Sequence, residues 1–485
     1  MFFNICFAFK IKVMKSFITY SITIFLQLLA TSLLQAQSDT IELKKFAPLD
    51  KFDLSKYNLP DLHYKFLVFS GNFNSGSNSD HKIKKEGSDN NYSEKTKNNS
   101  SIVNLTLNNY SYTNSRKEQI NINNQLFLDS RFVDVHKVYS YFNVDSNYHN
   151  NYLKMNFIFN SGYSKKTFRK NNFFIKKSVN FDLEIGNGET EKDKKSYFIS
   201  INPGIGIGKG RIEDVTDIWH IIRILKEMHR IGKLLKIPDE VELLDLAKQI
   251  SVIKYKRVLD YRLKNKYNLQ MLDEILSKAG LIGNKNFDYY NSLIDTWYYG
   301  ANTRRLSNWE VGIHLYPIFN LENLNLTLKE NYRFTTGLGS DIYYKRYIPV
   351  NVFWQLNYGT SIGFRYLTLS ANKFEHLFDG YSFYLSPSLY ANVAFYLSSR
   401  TYISSGISAI YNQHIFNPAK FQNNSYIFDF NNNFNFYLSP NSKLSLVFSI
   451  WYHSSANEDN SFYNYFNKHS YYNQNINITF SHDFY

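Results

Sequence analysis

Cysteine is almost absent from this chain: one residue, Cys6, in 485. It lies upstream of the expected mature start, so disulfide frameworks and thiolate metal sites are excluded from the mature protein. Long apolar runs are missing too. After residue 36 no stretch of 18 apolar residues occurs, which excludes a bundle of membrane-spanning helices. Proline (9) and methionine (5) are scarce, and the mean hydropathy of -0.39 is that of a water-soluble protein. What the chain does have is aromatic residues, 18% of the total, with 40 Tyr and 41 Phe. Such an excess favours strands and interfacial girdles over helical bundles.

Alternation reconciles the polar average with the aromatic excess. In Leu389, Ala391, Val393, Phe395 and Leu397 every second residue is apolar, while Ser388, Tyr390, Asn392, Tyr396 and Ser398 make the opposite face polar. A strand of this kind suits a barrel wall with lipid outside and a wet lumen inside.

The formal charge is +14, falling to +11 when Lys10, Lys12 and Lys15 of the leader are removed. These cations are spread over segments such as Lys82 to Lys97 and Lys165 to Lys170, with no nucleic-acid-binding motif among them. Anionic lipid head groups or surface polysaccharide are the expected counterparts, and nucleic acid is not. Met14, Lys15 and the apolar stretch Ser16 to Leu34 read as a secretory signal peptide cleaved after Ala36, with Met1 to Val13 an upstream start. A secreted chain with barrel periodicity is expected in an outer membrane.

Five segments follow: the signal peptide 1–36, a periplasmic lead-in 37–61, N-terminal barrel strands 62–209, a helical insertion 210–300 and C-terminal barrel strands 301–485. Seven strand-like runs precede the insertion, with Asn74 to Ser100 read as a Ser-, Asn- and Lys-rich mobile loop. Gln119 to Val144 is the ambiguous stretch, two strands or one. In the insertion, Val215, Ile218, Trp219, Ile222, Leu225 and Met228 recur at helical spacing, with Asp214 or Thr216 as cap and Gly232 near the end. A second helix is expected after Pro238 through Val241, Leu244, Ala247, Ile250, Ile253 and Val258, with Arg257 to Arg262 on its later turns. A third is expected over Leu269 to Ala279 and a fourth over Phe287 to Trp297.

Nine runs follow Leu306, separated by tight turns at Tyr358-Gly359-Thr360, Ser398-Ser399-Arg400 and Ser439 to Ser442 and by long polar connections at Ala371 to Gly380, Asn412 to Asn424 and Ser454 to Ser470. Outer-membrane barrels keep short turns in the periplasm. Counting nine strands back from a periplasmic Tyr485 puts the insertion on the outer side.

Signals for chemistry are weak. Pro203 to Gly210 is glycine-rich, but Lys209 is followed by Gly210 where a phosphate-cradling loop needs Ser or Thr, so a glycine-rich strand end is the better reading. Lys254, Lys256, Arg257, Arg262, Lys264 and Lys266, interleaved with Tyr255, Tyr261 and Tyr267, suit either an anionic polymer or a solvated helix face. The insertion as a whole carries 15 Lys and Arg against 13 Asp and Glu, so it is not a basic domain. His220 and His229 are nine apart and share no helical face as metal ligands would. His453, Ser454 and Asp379 are rim positions without a catalytic motif. No catalytic, metal or cofactor-binding residues are assigned, and the chain is not expected to be an enzyme.

The final strand sets Tyr472, Ile476, Ile478, Phe480 and Phe484 on one parity and Asn475, Asn477, Thr479, Ser481 and Asp483 on the other. Together with the leader and the ladder, this resembles the Asn- and Tyr-rich outer-membrane barrels common in the Bacteroidota. Gly208 to Asp217, followed by Lys256-Arg257 and Asp260-Tyr261-Arg262, resembles an insertion in uncharacterised members of that group. The resemblance implies a transmembrane antiparallel β-barrel of about 14 to 16 strands with an inserted α-helical domain. It also implies outer-membrane lipid as surroundings, and barrel assembly machinery as a partner that reads the terminal strand. No plug of the siderophore-receptor type precedes the strands. The expected role is passage of a small solute restricted by a helical cap or plug. The alternative is a surface-binding or scaffold protein that the barrel anchors.

Overall fold

Alternation becomes a ladder in the computed structural model, which describes residues 47–86, 90–141, 144–187, 195–256, 261–299, 303–323, 332–371, 380–398, 400–417, 421–439, 442–458 and 467–482. The chain divides into two units, one ending at Asp53 and the other starting at Leu54. In the first, Ala47–Asp50 forms a single helical turn. All that follows concerns the second.

Six strands come first: β1 (Leu62–Glu86), β2 (Asn90–Asn114), β3 (Glu118–Tyr141), β4 (Val144–Phe168), β5 (Phe173–Asn187) and β6 (Lys195–Gly210). A two-residue strand β7 (Glu213–Asp214) leads into the helices. The sheet then resumes with β8 (Leu306–Asn323), β9 (Tyr332–Pro349), β10 (Trp354–Ala371), β11 (Gly380–Tyr396), β12 (Thr401–Asn417), β13 (Phe421–Ser439), β14 (Ser442–Glu458) and β15 (Asn467–His482). Every long strand pairs antiparallel with its sequence neighbours, and β6 pairs β8 across the insertion, from Gly210↔Glu310 to Phe198↔Glu322. The helices are therefore hung from one end of an unbroken meander. Among the described residues no ladder joins β1 to β15, so both edges of this β-rich sheet are unpaired and it is not closed into the expected barrel.

Each face has its own chemistry. On β8, Val311, Leu315 and Phe319 point outward and are 38 to 44% exposed, whereas Glu310 and His314 point inward and are buried. On β6 the outward residues are Ile201, Ile205 and Ile207 and the inward ones Ser200, Asn202, Gly204 and Gly206. Apolar side chains left exposed along one whole face, with polar ones on the other, invert the usual arrangement of a soluble sheet.

Several sequence expectations change. Asn74 to Ser100 is a hairpin and not a loop, with β1 and β2 paired out to Glu86↔Asn90. Its outer part lacks apolar alternation, which is why it reads as loop. Glu118–Tyr141 is one strand, the second of the two readings left open for Gln119 to Val144. Tyr358-Gly359-Thr360 lies inside β10, not in a turn; the turn is residues 350–353. A Cβ on Gly359 would sit 2.7 Å from Tyr390 Cε1 and from the Tyr344 carbonyl oxygen, so the glycine marks close packing within a strand. The expected run from Asn323 to Phe334 joins the end of β8 to the start of β9 across 324–331, which lie outside the described residues.

Fourteen long strands result, eight of them after the insertion. An even count of eight returns the chain to the end from which it left. The helical domain therefore shares an end with the carboxyl end of β15 and with the connections 115–117, 169–172, 350–353 and 397–400, opposite to the side expected from a count of nine.

The helical domain comprises α1 (Thr216–Arg230), α2 (Glu240–Tyr255), α3 (Tyr261–Lys278) and α4 (Phe287–Tyr299). Helix α1 is its centre. Ile218, Trp219, Ile222, Leu225 and Met228 are at most 2% exposed, and α2 and α4 pack against it. Asp214 Oδ1 accepts from the Thr216 amide at 3.0 Å and from its hydroxyl at 2.5 Å, and Gly232 ends the helix at φ +67, where the left-handed backbone favours glycine. Helix α2 starts at an Asp239/Glu242 capping box. Its buried face is Leu243, Leu246, Ala247, Ile250 and Ile253, not the expected Val241 and Leu244; Val241 is 76% exposed. The helix stops at Tyr255, and 257–260, including Val258, lie outside the described residues. Arg262 belongs to α3.

Candidate functional site

The inward face holds a polar cavity of about 560 Å³ that reaches from Asn121 on β3 to Arg365 on β10. Strand register builds it. Lys166, Lys176, Gly206, His314, Asp341 and Gly363 are successive cross-strand partners on β4, β5, β6, β8, β9 and β10. Glycine at 204 and 206 strips the inner face of β6, and neighbours lean over it. A Cβ on Gly204 would stand 2.4 Å from His314 Nε2, which instead shares a 2.8 Å hydrogen bond with Ser178 Oγ on β5. Asn and Ser side chains such as Asn123, Asn180, Asn202 and Ser200 line the wall, with the Tyr316 hydroxyl 3.4 Å from Asp341 Oδ1.

Nearer the helical domain a charged layer crosses the interior. Glu310, 2% exposed, accepts from Lys166 Nζ at 2.5 Å and from the Tyr343 hydroxyl at 2.9 Å, and Lys345 is its direct cross-strand partner. Lys166 also lies 5.3 Å from the centre of the Phe174 ring. A carboxylate this buried is tolerable because both of its oxygens are engaged.

The helical domain packs against this end. Arg305, fully buried, donates at 2.7 Å to the carbonyls of Asn351, Val352 and Trp354. Its own amide donates to Thr216 Oγ1 and its carbonyl accepts from the Val215 amide, so one residue joins α1 to the β9–β10 turn. The Trp219 indole donates to the Val352 carbonyl at 2.8 Å, and Arg223 donates to that of Tyr396. Tyr255 stacks on Tyr64 of β1, Gln119 of β3 donates to the Ile212 carbonyl, Asp295 pairs with Arg400, and Tyr299 lies against Tyr437 of β13. Tyr64, Gln119, Gln355, Tyr396 and Tyr437 all stand on the inward parity of their strands.

These contacts fix the curvature of the sheet. Laid flat, β1 and β13 would be about 50 Å apart at a strand spacing of roughly 4.8 Å. A domain of this length has a radius of gyration of about 12 Å. One small domain touching both strands requires the sheet to curl around its interior.

Burial shapes the electrostatics of the domain. Two guanidinium groups flank the Trp219 ring, Arg223 at 4.4 Å and Arg305 at 5.2 Å. Burial, and secondarily the other cation, lowers Arg223 to about 9, and burial lowers Arg305 to about 10. His220, with no exposed surface, bonds through Nε2 to the Thr296 carbonyl at 3.0 Å, and burial first, then Lys254, holds it well below its ordinary value. Below it, Asp217 accepts from Ser251 and from Lys254, and Ser251 shares a 2.6 Å bond with the buried Tyr57 hydroxyl.

The residues singled out in the sequence are placed differently from one another. Pro203 to Gly210 forms the end of β6, as a glycine-rich strand end. Of the basic stretch, Lys254 is paired with Asp217, Lys256 lies 4.0 Å over the Tyr267 ring and Tyr255 stacks on Tyr64. Those three residues brace the domain, and Arg257 lies outside the described residues. His220 and His229 do not meet as ligands, and among the described residues no group of His, Cys, Asp or Glu is placed to hold a metal. His453 and Ser454 pair with Tyr471 and Ser470 across β14 and β15, while Asp379 lies outside the described residues. On β15, Phe480 is 60% exposed, and 483–485 lie outside the described residues.

Sequence reasoning missed Lys176, Ser178, His314, Asp341 and Arg365. The available signal was a charged or imidazole side chain at the polar parity of an otherwise apolar strand. No protein-family model matches the chain, and no curated protein is similar to it.

Proposed function

We propose that this chain is an integral outer-membrane β-barrel of fourteen strands that passes a small solute, and that its helical domain occludes the lumen at the periplasmic end. The observation that carries this reading is the set of bonds from one helical domain to inward-facing groups on β1, β3, β10, β11 and β13. A domain attached all the way around one end restricts whatever moves through it.

Three further points support the reading. Hydrocarbon tolerates no unpaired strand edge, since each unsatisfied backbone group costs several kcal/mol, so a sheet with this lipid-like outer face closes on itself in a bilayer. An even number of strands brings β1 and β15 together antiparallel, as closure needs. Short connections mark the periplasmic end in such proteins, and they surround the helical domain here. The partners are then membrane lipid and the assembly machinery that engages β15.

A second reading, a surface-binding protein with the barrel as anchor, is favoured by the length of β1 to β4, 24 to 25 residues against 15 to 19 in the other long strands. Single-channel recording on purified full-length protein decides between them. Rare, brief openings that become frequent when the helical domain is loosened support the channel. Silence from both forms, with the protein folded, leaves the anchor.

A further inference from the structure

The lining of the interior cavity carries two cationic side chains, Lys176 and Arg365, against one carboxylate, Asp341. Lys166 and Lys176 are direct cross-strand partners on the inward face, an arrangement in which like charges repel. Lys166 is answered by Glu310, whose other oxygen is taken by Tyr343. Across the cavity, Arg365 and Asp341 contribute one charge of each sign to the lining. Among the described residues no carboxylate lies within ion-pair distance of Lys176, which lines the cavity beside Asn180 and Ser178. The surrounding wall is amide and hydroxyl, with aromatic surface from Tyr316. A volume of about 560 Å³ lies within the range that encloses a small organic ligand.

We propose that this cavity is a selective subsite for a polyhydroxylated solute of about disaccharide size bearing a single anionic group, with Lys176 binding the anion and the asparagine-lined wall binding the hydroxyls. An ammonium on a flexible stem suits a carboxylate or a phosphate equally, so charge and hydroxyl pattern define the ligand class. This rests on the lumen reading above and names what the lumen selects.

Titration calorimetry on the detergent-purified full-length protein tests it, with lactobionate against lactose for the carboxylate source and trehalose 6-phosphate against trehalose for the phosphate source. At least one anionic sugar is expected to bind while its neutral counterpart does not, and the stronger of the two identifies the source. Lys176→Gln is expected to weaken that binding roughly 10- to 100-fold, the value of one charge-assisted hydrogen bond, and Lys176→Arg to restore most of it. Heat-modifiable mobility on gels, retained in both variants, establishes that each is folded. Equal binding of neutral and charged sugars, no binding by heat-modifiable protein, or an unaffected Lys176→Gln each overturns the subsite and leaves the barrel standing. Loss of heat-modifiability in the unaltered protein overturns both.

Discussion

Replacing Arg305 by alanine is expected to release the helical domain from the sheet. The guanidinium makes three 2.7 Å bonds to the carbonyls of Asn351, Val352 and Trp354, and a longer one of 3.4 Å to Gln355 Oε1. Hydrogen bonds to a charged donor contribute about 1.5–3 kcal/mol each. Part of that offsets the desolvation of a fully buried cation, and truncating one member of such a buried network costs about 3–5 kcal/mol net. The Val352 carbonyl keeps the Trp219 indole as a donor, while those of Asn351 and Trp354, part-buried, lose theirs. At about 1.4 kcal/mol per decade, the population with the domain detached rises roughly 100- to 3,000-fold. Arg305→Lys keeps the charge but cannot fork across three carbonyls, so its effect falls between alanine and the unaltered protein. The assay is planar-bilayer conductance, run alongside limited proteolysis of the segment 216–299. Arg305→Ala should show frequent long openings and faster cleavage with the strands still heat-modifiable. Conductance and cleavage rates equal to those of the unaltered protein would refute Arg305 as the tie between domain and wall.

Three other outcomes are expected. Leu315→Arg, on the outward face in the middle of β8, should destabilise the bilayer-inserted protein by about 2–4 kcal/mol, whereas Asn320→Arg on the inward face should be tolerated; urea titration in lipid vesicles compares them, and equal effects would argue against lipid outside. Gly204→Ala forces a Cβ to within 2.4 Å of His314 Nε2, so the Ser178–His314 bond should be lost and the temperature of heat-modification should fall. His220 is neutral in the fold because burial depresses its affinity for protons, while the unfolded chain binds a proton near 6.5. The unfolded state therefore holds more protons below that pH, and the helical domain loses stability on acidification by up to about 1.4 kcal/mol per pH unit. Melting followed by tryptophan fluorescence between pH 7.5 and 5.5 reads this slope, and His220→Gln should flatten it.

Much of the sheet was legible because a strand with one apolar and one polar face must alternate, and β8, β11 and the end of β15 largely do so. Errors arose where a residue had two physical meanings. Gly359 reads as a turn but serves the packing of Tyr390 over β10, and that one misreading moved the helical domain to the wrong end. Residues 74–86 and 90–100 carry only Ile83 and Tyr92 as large apolar or aromatic residues, so no alternation marks the paired hairpin. Helix α1 was read correctly because it is buried on nearly all sides and capped by Asp214. Helix α2 was misread by two residues because several apolar faces compete in Val241, Leu243, Leu244 and Leu246. The interior cavity was illegible for a deeper reason. Lys176, His314, Asp341 and Arg365 sit on four different strands, and only the register, set by turns and by the insertion's length, brings them together.

The helical domain, from Glu213 to Arg305, is built from contacts close in sequence, as is each hairpin of the sheet, whereas the contacts that join the two, such as Tyr64 with Tyr255 and Tyr299 with Tyr437, link residues far apart in the chain. Local contacts form fastest. A domain that is complete early, and that carries docking points for both the first strands and the late turns, acts as a jig that holds the two halves of the sheet at matching height. Weakening it should therefore slow the maturation of newly made protein even where the finished molecule survives.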